Sequence, residues 1–151
     1  MMRSILMPLG TAFVATVIFI HAPVTVAAEK THKVVFHVDE NDAKRMNLTL
    51  NNAENMTKHY RNNNQEVEIE IVTYGPGLHM LRDDTSPVKA RVVTFAATYE
   101  NIAFRSCNVT YGKMTKKEGK EPPLLDIAEP VPSGVVHLVE RQEQGWAYIR
   151  P

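Results

Sequence analysis

Apolar and polar positions change rhythm repeatedly along the chain. In Lys33 to Asp39, "KVVFHVD", β-branched and aromatic side chains run together, which predicts a strand. From Asp42 to about Arg61 the apolar residues Met46, Leu50, Ala53, Met56 and Tyr60 recur three or four apart, one face of an amphipathic helix. Glu66 to Thr73, "EVEIEIVT", alternates charged and β-branched residues as a strand with one face buried, and "YGPG" after it reads as a turn. Ser86-Pro87 is a helix-start pair, a cap followed by a first-turn proline, with Val88, Val92, Phe95, Ala96 and Tyr99 following at helical spacing. Ile102 to Ser106 is short and strand-like. Asn108 to Lys117 continues as a helix that closes in the charged loop "KKEGKEPP". Ala128 to Val131 predicts a brief strand. "PSGVVHLVERQEQG" predicts a final helix starting near Pro132 or Ser133 and stopped at Gly145, and "WAYIR" a closing strand.

Strands and helices alternate at short intervals, with no internal repeat and no linker rich in Ser or Gly. That order implies right-handed βαβ units. The expected fold is α/β: a three-layer α/β/α sandwich of about five mostly parallel strands, with helices on both faces and a flavodoxin-like general layout.

Composition narrows the class. The 151 residues are 44% hydrophobic and 23% charged, as in an ordinary globular domain, and the formal charge is zero. A neutral chain lacks the clustered positive excess of nucleic-acid binders, so nucleic acid is set aside as a partner. Residues 1–28 stand apart from the domain of residues 29–151. Arg3 gives a short positive end, Ile5 to Ile20 is almost wholly apolar, and Val26-Ala27-Ala28 offers small residues for a signal peptidase. A cleaved signal peptide is expected, with an uncleaved anchor as the alternative, and either places the domain outside the cytoplasm, in the periplasm.

An exported chain with one cysteine has no internal disulfide, so its thiol is buried, shared with another chain, or reactive. In a parallel sheet, ligands gather at the carboxyl ends of the strands, where "DEND", "YGPGLHM" and "CNVT" are expected to face one another. Cys107 at a helix start would meet unpaired N–H groups and the positive end of the dipole, which favour thiolate. Free cysteines are also among the most buried residues, so a packing role stays open. Asn108 and Thr110 are candidate hydrogen-bond donors to it. Gly75 and Gly77 offer either a backbone anion nest or a plain tight turn. His79 is the one histidine expected near Cys107, and Asp39 lies at the same edge as a base or part of a capped, solvated rim. His37 is expected to be a satisfied core histidine. His and Cys show no ligand spacing, so no metal and no cofactor are implied. The run "KMTKKEGK" reads as a solvated helix end, with a docking surface for an acidic partner as the alternative. Trp146, Tyr148 and Ile149 would be exposed if the closing strand lay at an edge, a hint of self-association.

With these segments in view, the chain resembles the small members of the DsrE/DsrF-like (YchN-like) family. "KVVFHVDE", "LTLNNAENM", "EIEIVTYGPGLHML", the cysteine stretch and "VPSGVVHLVERQEQGWAYIRP" carry the resemblance over nearly all of residues 29–151. It implies a three-layer α/β/α fold, assembly as a homotrimer or homohexamer, and participation in sulfur relay or sulfur oxidation. In that reading Cys107 accepts a sulfane sulfur as a persulfide. Where many small members read Cys-Gly-Asn-Thr, this chain reads Cys107-Asn108-Val109-Thr110, so the cysteine and Thr110 fit while the intervening turn differs.

Two functional readings follow. In one, Cys107 carries a persulfide between sulfur donors and acceptors, whether proteins or small thiols, and the acceptor is external because there is no second cysteine. In the other, the chain is a non-catalytic oligomeric module that binds a small ligand and buries Cys107 as a structural residue. A hydrolase is disfavoured, since there is no Gly-x-Ser-x-Gly elbow and no evident Cys/His/Asp constellation.

Overall fold

The computed structural model describes residues 31–151. Its strands are β1 (Thr31–Val38), β2 (Glu66–Thr73), β3 (Ile102–Cys107), β4 (Ala128–Val131) and β5 (Ala147–Ile149). They form one parallel sheet in the spatial order β4-β3-β2-β1-β5. The helices are α1 (Ala43–Asn62), α2 (Lys89–Thr98), α3 (Asn108–Glu118) and α4 (Gly134–Glu143). The α/β fold and the parallel sheet expected from the sequence are both present.

The topology follows from crossover handedness. Strands β1 to β4 step in one direction, so right-handed connections put α1 and α2 on the same face. The last connection runs back past β1 to β5, which places α4 on the opposite face. The main core accordingly lies between the sheet and α1 and α2, with Val34, Phe36, Ile69, Ile71 and Phe104 meeting Met46, Leu50, Ala53, Val92 and Phe95. The second face is thinner. Val35, Val72, Leu138 and Trp146 form its only buried cluster of apolar side chains among the described residues.

Local chemistry sets the boundaries. Asp42 caps α1 by accepting the Lys44 amide at 2.7 Å. Gly119, with φ of +70°, ends α3. The helix after Ser86-Pro87 starts later than expected, at Lys89, and the Ser86 hydroxyl donates to the Met80 carbonyl at 2.7 Å while accepting the Val88 amide at 3.3 Å, one turn short of the helix. The "YGPG" segment is more than a turn, since Gly75–Leu81 winds into a 3-10 helix that buries Leu78, Met80 and Leu81. Trp146 is not an exposed edge residue. It is buried on the second face, with Lys33 and the Arg141 guanidinium over its ring.

Glu70 departs furthest from its strand pattern. In β2, Glu66 and Glu68 are exposed, yet Glu70 retains 1% of its accessible surface because α4 covers that end of the strand. Its carboxylate accepts from Arg105 on β3 and from His137 and Arg141 on α4. Burial alone would push this carboxyl up. The hydrogen bonds from Arg141, His137 and Arg105 outweigh that and hold it at about 2, below its ordinary 4.5.

The apolar segment of residues 1–28, expected to be a cleaved signal peptide or an anchor, lies outside the described residues. Among the described residues, no helix is long and apolar enough to cross a membrane.

Two predictions follow from this packing. A Cβ at Gly77 would fall inside the Val38 carbonyl, backbone against backbone, so Gly77→Ala costs about 3 kcal/mol. Gly112→Ala on α3, where a Cβ meets nothing, gains about 0.5–1 kcal/mol, and thermal denaturation of both variants checks the contrast. The depressed Glu70 carboxyl contributes stability that is fully present above about 4.5 and lost as pH falls toward about 2. Urea titrations across that window should show a loss in the wild type that is smaller in Glu70→Gln.

Candidate functional site

Cys107 is the last residue of β3 and the N-cap of α3, so one backbone bend puts its sulfur at the carboxyl edge of the sheet beneath a helix start. Its Sγ accepts the Thr110 amide at 3.5 Å. The N-terminus of α4 arrives at the same point from the neighbouring strand. Gly134 lies so close that a Cβ there would stand 3.0 Å from Tyr74 and 3.2 Å from the Cys107 Cβ. Only glycine lets the α4 backbone approach this far.

Two helix N-termini therefore converge on one thiol. Burial alone pushes the Cys107 thiol up. It is outweighed by the pull of the nearby Gly134 amide, the Thr110 hydroxyl, and the Thr110 and Val109 amides, of which the Thr110 amide is within hydrogen-bond distance, so the thiol lies below its ordinary value. The Thr110 hydroxyl also accepts the Gly75 amide at 2.9 Å, which ties the start of the 3-10 helix to the cysteine.

Cys107 forms part of the floor of a groove of about 470 Å³. Tyr74, Pro76, Val109, Met114 and Val135 supply apolar walls. Lys113 and Lys117, one turn apart on α3, give it positive charge, and no carboxylate lines it. His79 closes one side with Nδ1 2.7 Å from the Thr85 hydroxyl oxygen; burial and then the nearby Arg82 push it down, so it is neutral at pH 7. A wider depression of about 710 Å³ lies at the amino edge of the sheet among Thr31, Arg61, Glu66 and Asn101, and no cysteine lines it among the described residues. No group of three or more His, Cys, Asp or Glu side chains able to hold a metal gathers among the described residues.

Of the residues singled out from sequence, Cys107, Thr110, Gly75 and His79 come together in this groove. Asn108 is exposed at the first turn of α3 and does not line it. Gly77 is buried against the end of β1, where its role is close packing. Asp39 is held by the Arg150 guanidinium at 2.9 and 3.0 Å, away from the thiol groove. His37 is buried with its Nδ1 2.7 Å from the Tyr148 hydroxyl and its ring stacked on Tyr74, while Nε2 has no hydrogen-bond partner, so this core histidine is half satisfied. Sequence reasoning missed Gly134, and read Lys113 and Lys117 only as part of the basic run "KMTKKEGK". A glycine opening a helix directly after the Ser133 cap was the one available signal of close backbone approach.

Fold and site together define a parallel α/β protein with a single thiol at the carboxyl edge of its sheet. No family model matches the chain, and no curated protein matches it. Among solved structures it is similar to the protein of unknown function MTH1491 from Methanobacterium thermoautotrophicum, at 36% identity and a TM-score of 0.67, over 80% of this chain and 99% of that one. The chain belongs to the same family as that protein.

Replacing Thr110 by Val removes the hydroxyl that accepts the Gly75 amide and helps to lower the Cys107 thiol. The apparent thiol pKa should rise. Thr110→Ser should restore it, as read from the pH dependence of alkylation rate.

Proposed function

We propose that this chain is an exported DsrE/DsrF-like sulfur carrier that works as a homo-oligomer and holds a persulfide on Cys107. The observation that carries this reading is the cysteine's place under two helix N-termini, at the floor of a groove with two lysines and no carboxylate. Such surroundings favour a thiolate and an anionic sulfur donor. The thiolate attacks the outer sulfur of a donor R–S–S⁻. A bond forms between Sγ and that sulfur as its bond to R–S breaks, and R–S⁻ leaves, with charge and oxidation level conserved. An external thiolate then takes the outer sulfur and regenerates Cys107. The backbone amides hold the negative charge on sulfur before transfer, and the apolar walls exclude water from the persulfide. Exposed Val135, Val136 and Val139 on α4 and Val109 on α3 supply apolar surface for the association expected from sequence.

One observation favours the second reading, a ligand-binding module with a structural cysteine: Cys107 keeps only 4% of its accessible surface. The two readings part on reactivity. The carrier predicts alkylation of the native protein with a low apparent thiol pKa, and a mass increase of about 32 Da after polysulfide treatment that is absent from Cys107→Ser. Modification only after denaturation, with no adduct, would establish the structural role.

A further inference from the structure

The helix that brings Gly134 to Cys107 is weakly anchored by apolar contact, since Gly134 and Leu138 are its only buried residues. The remaining grip on the sheet is polar and centres on Glu70. His137 Nε2 lies 2.7 Å from Oε2, and Arg141 donates to the two carboxylate oxygens at 2.8 Å each. These two residues are four apart on one face of α4, so a single carboxylate sets both the rotation of the helix and its height above the sheet. From the other side Arg105 donates twice to Oε1, at 2.9 and 2.7 Å, which fixes the carboxylate itself. His137 is one helical turn from Gly134, about 4.5 Å along the axis, so a change at the clamp reaches the helix start with little attenuation.

We propose that Glu70 is a positioning residue for Cys107: with Arg105, His137 and Arg141 it clamps α4 so that its N-terminal turn, at Gly134, stays packed against Cys107. The proposal rests on the reading of Cys107 as a working thiolate. The electrostatics make the clamp one-sided. Glu70 is the anion between two guanidinium groups, with the Glu129 carboxylate touching only Arg105 from the exposed side. Without its charge, Arg105 keeps Glu129 while Arg141 loses its carboxylate partner, and α4, the lightly packed partner, is the element that yields. The neutral amide of Gln cannot accept all the donors that now converge on Glu70.

The experiment is the pH profile of Cys107 alkylation, with amide hydrogen exchange at Gly134 as a second readout. It compares the wild-type protein, Glu70→Gln, Arg141→Gln, Arg141→Lys and the control Leu50→Ala. Leu50 lies in the core on the other face, so its variant reports general destabilisation. Glu70→Gln and Arg141→Gln should raise the apparent thiol pKa by about one unit, slow alkylation at pH 7 about five- to tenfold, and speed exchange at Gly134. Arg141→Lys, which keeps the charge, should recover part of the rate. If Glu70→Gln does not fold, the Arg141 pair carries the test. A lowered thiol pKa in the wild type that both Gln variants leave unchanged, or that Leu50→Ala raises equally, would overturn the positioning role alone. An ordinary thiol pKa in the wild type would overturn the thiolate reading and the clamp with it.

Discussion

Glu70 carries its charge inside the sheet, where desolvation would be prohibitive unless the surrounding donors replaced the lost water. Arg105, His137 and Arg141 do so, and by doing so they attach the second layer of the fold to the first. The opposite face needs no such device, because α1 and α2 present a broad apolar surface to Phe36, Ile69, Ile71 and Phe104. On the α4 side only Leu138, Val35, Val72 and Trp146 are buried together, too few to orient a ten-residue helix. An apolar patch lets a helix slide and rotate; a carboxylate with several directional donors does not. The choice of a charge at this position is one of geometry.

The same geometry decides what Cys107 is. A cysteine at a strand end capping one helix is commonplace, and its burial on its own would make it a poor nucleophile. The arrival of α4 supplies a second set of unpaired amides, and Gly134 has no side chain to keep them away. Thr110 completes the surroundings by serving the thiol and the Gly75 amide at once. The thiol is therefore framed by its own helix start, by α4 at Gly134 and, through Thr110, by Gly75, each following a different strand end. This is the usual advantage of the carboxyl edge of a parallel sheet: loops that are far apart in sequence are adjacent by topology.

Much of the architecture was legible in residue order. Glu66–Thr73 and Ala128–Val131 emerge as strands with the limits read from the sequence, and in the first a β-branched run bounded by turn residues leaves little choice of conformation. The long α1 follows its apolar stripe. Less was legible where a side chain's competing partner lies outside its own segment. Ser86 reads as a cap and instead bonds Met80, and the "YGPG" turn continues into a 3-10 helix because Leu78, Met80 and Leu81 have a core to enter. Trp146 looked like an exposed edge residue until α4 and Lys33 covered it.

The sequence by itself determined the alternation of strands and helices, the parallel sheet that alternation demands, and the placement of Cys107 at a strand end followed by a helix. Period and turn chemistry are local properties, and local properties survive reading one segment at a time. The tertiary structure alone decided that Glu70 is buried and Glu68 is not, that Asp39 pairs with Arg150 away from the thiol, and that Gly134 faces Cys107. Alternation in a strand names the two faces of a sheet but not what will cover them, and that depends on which way the last crossover turns.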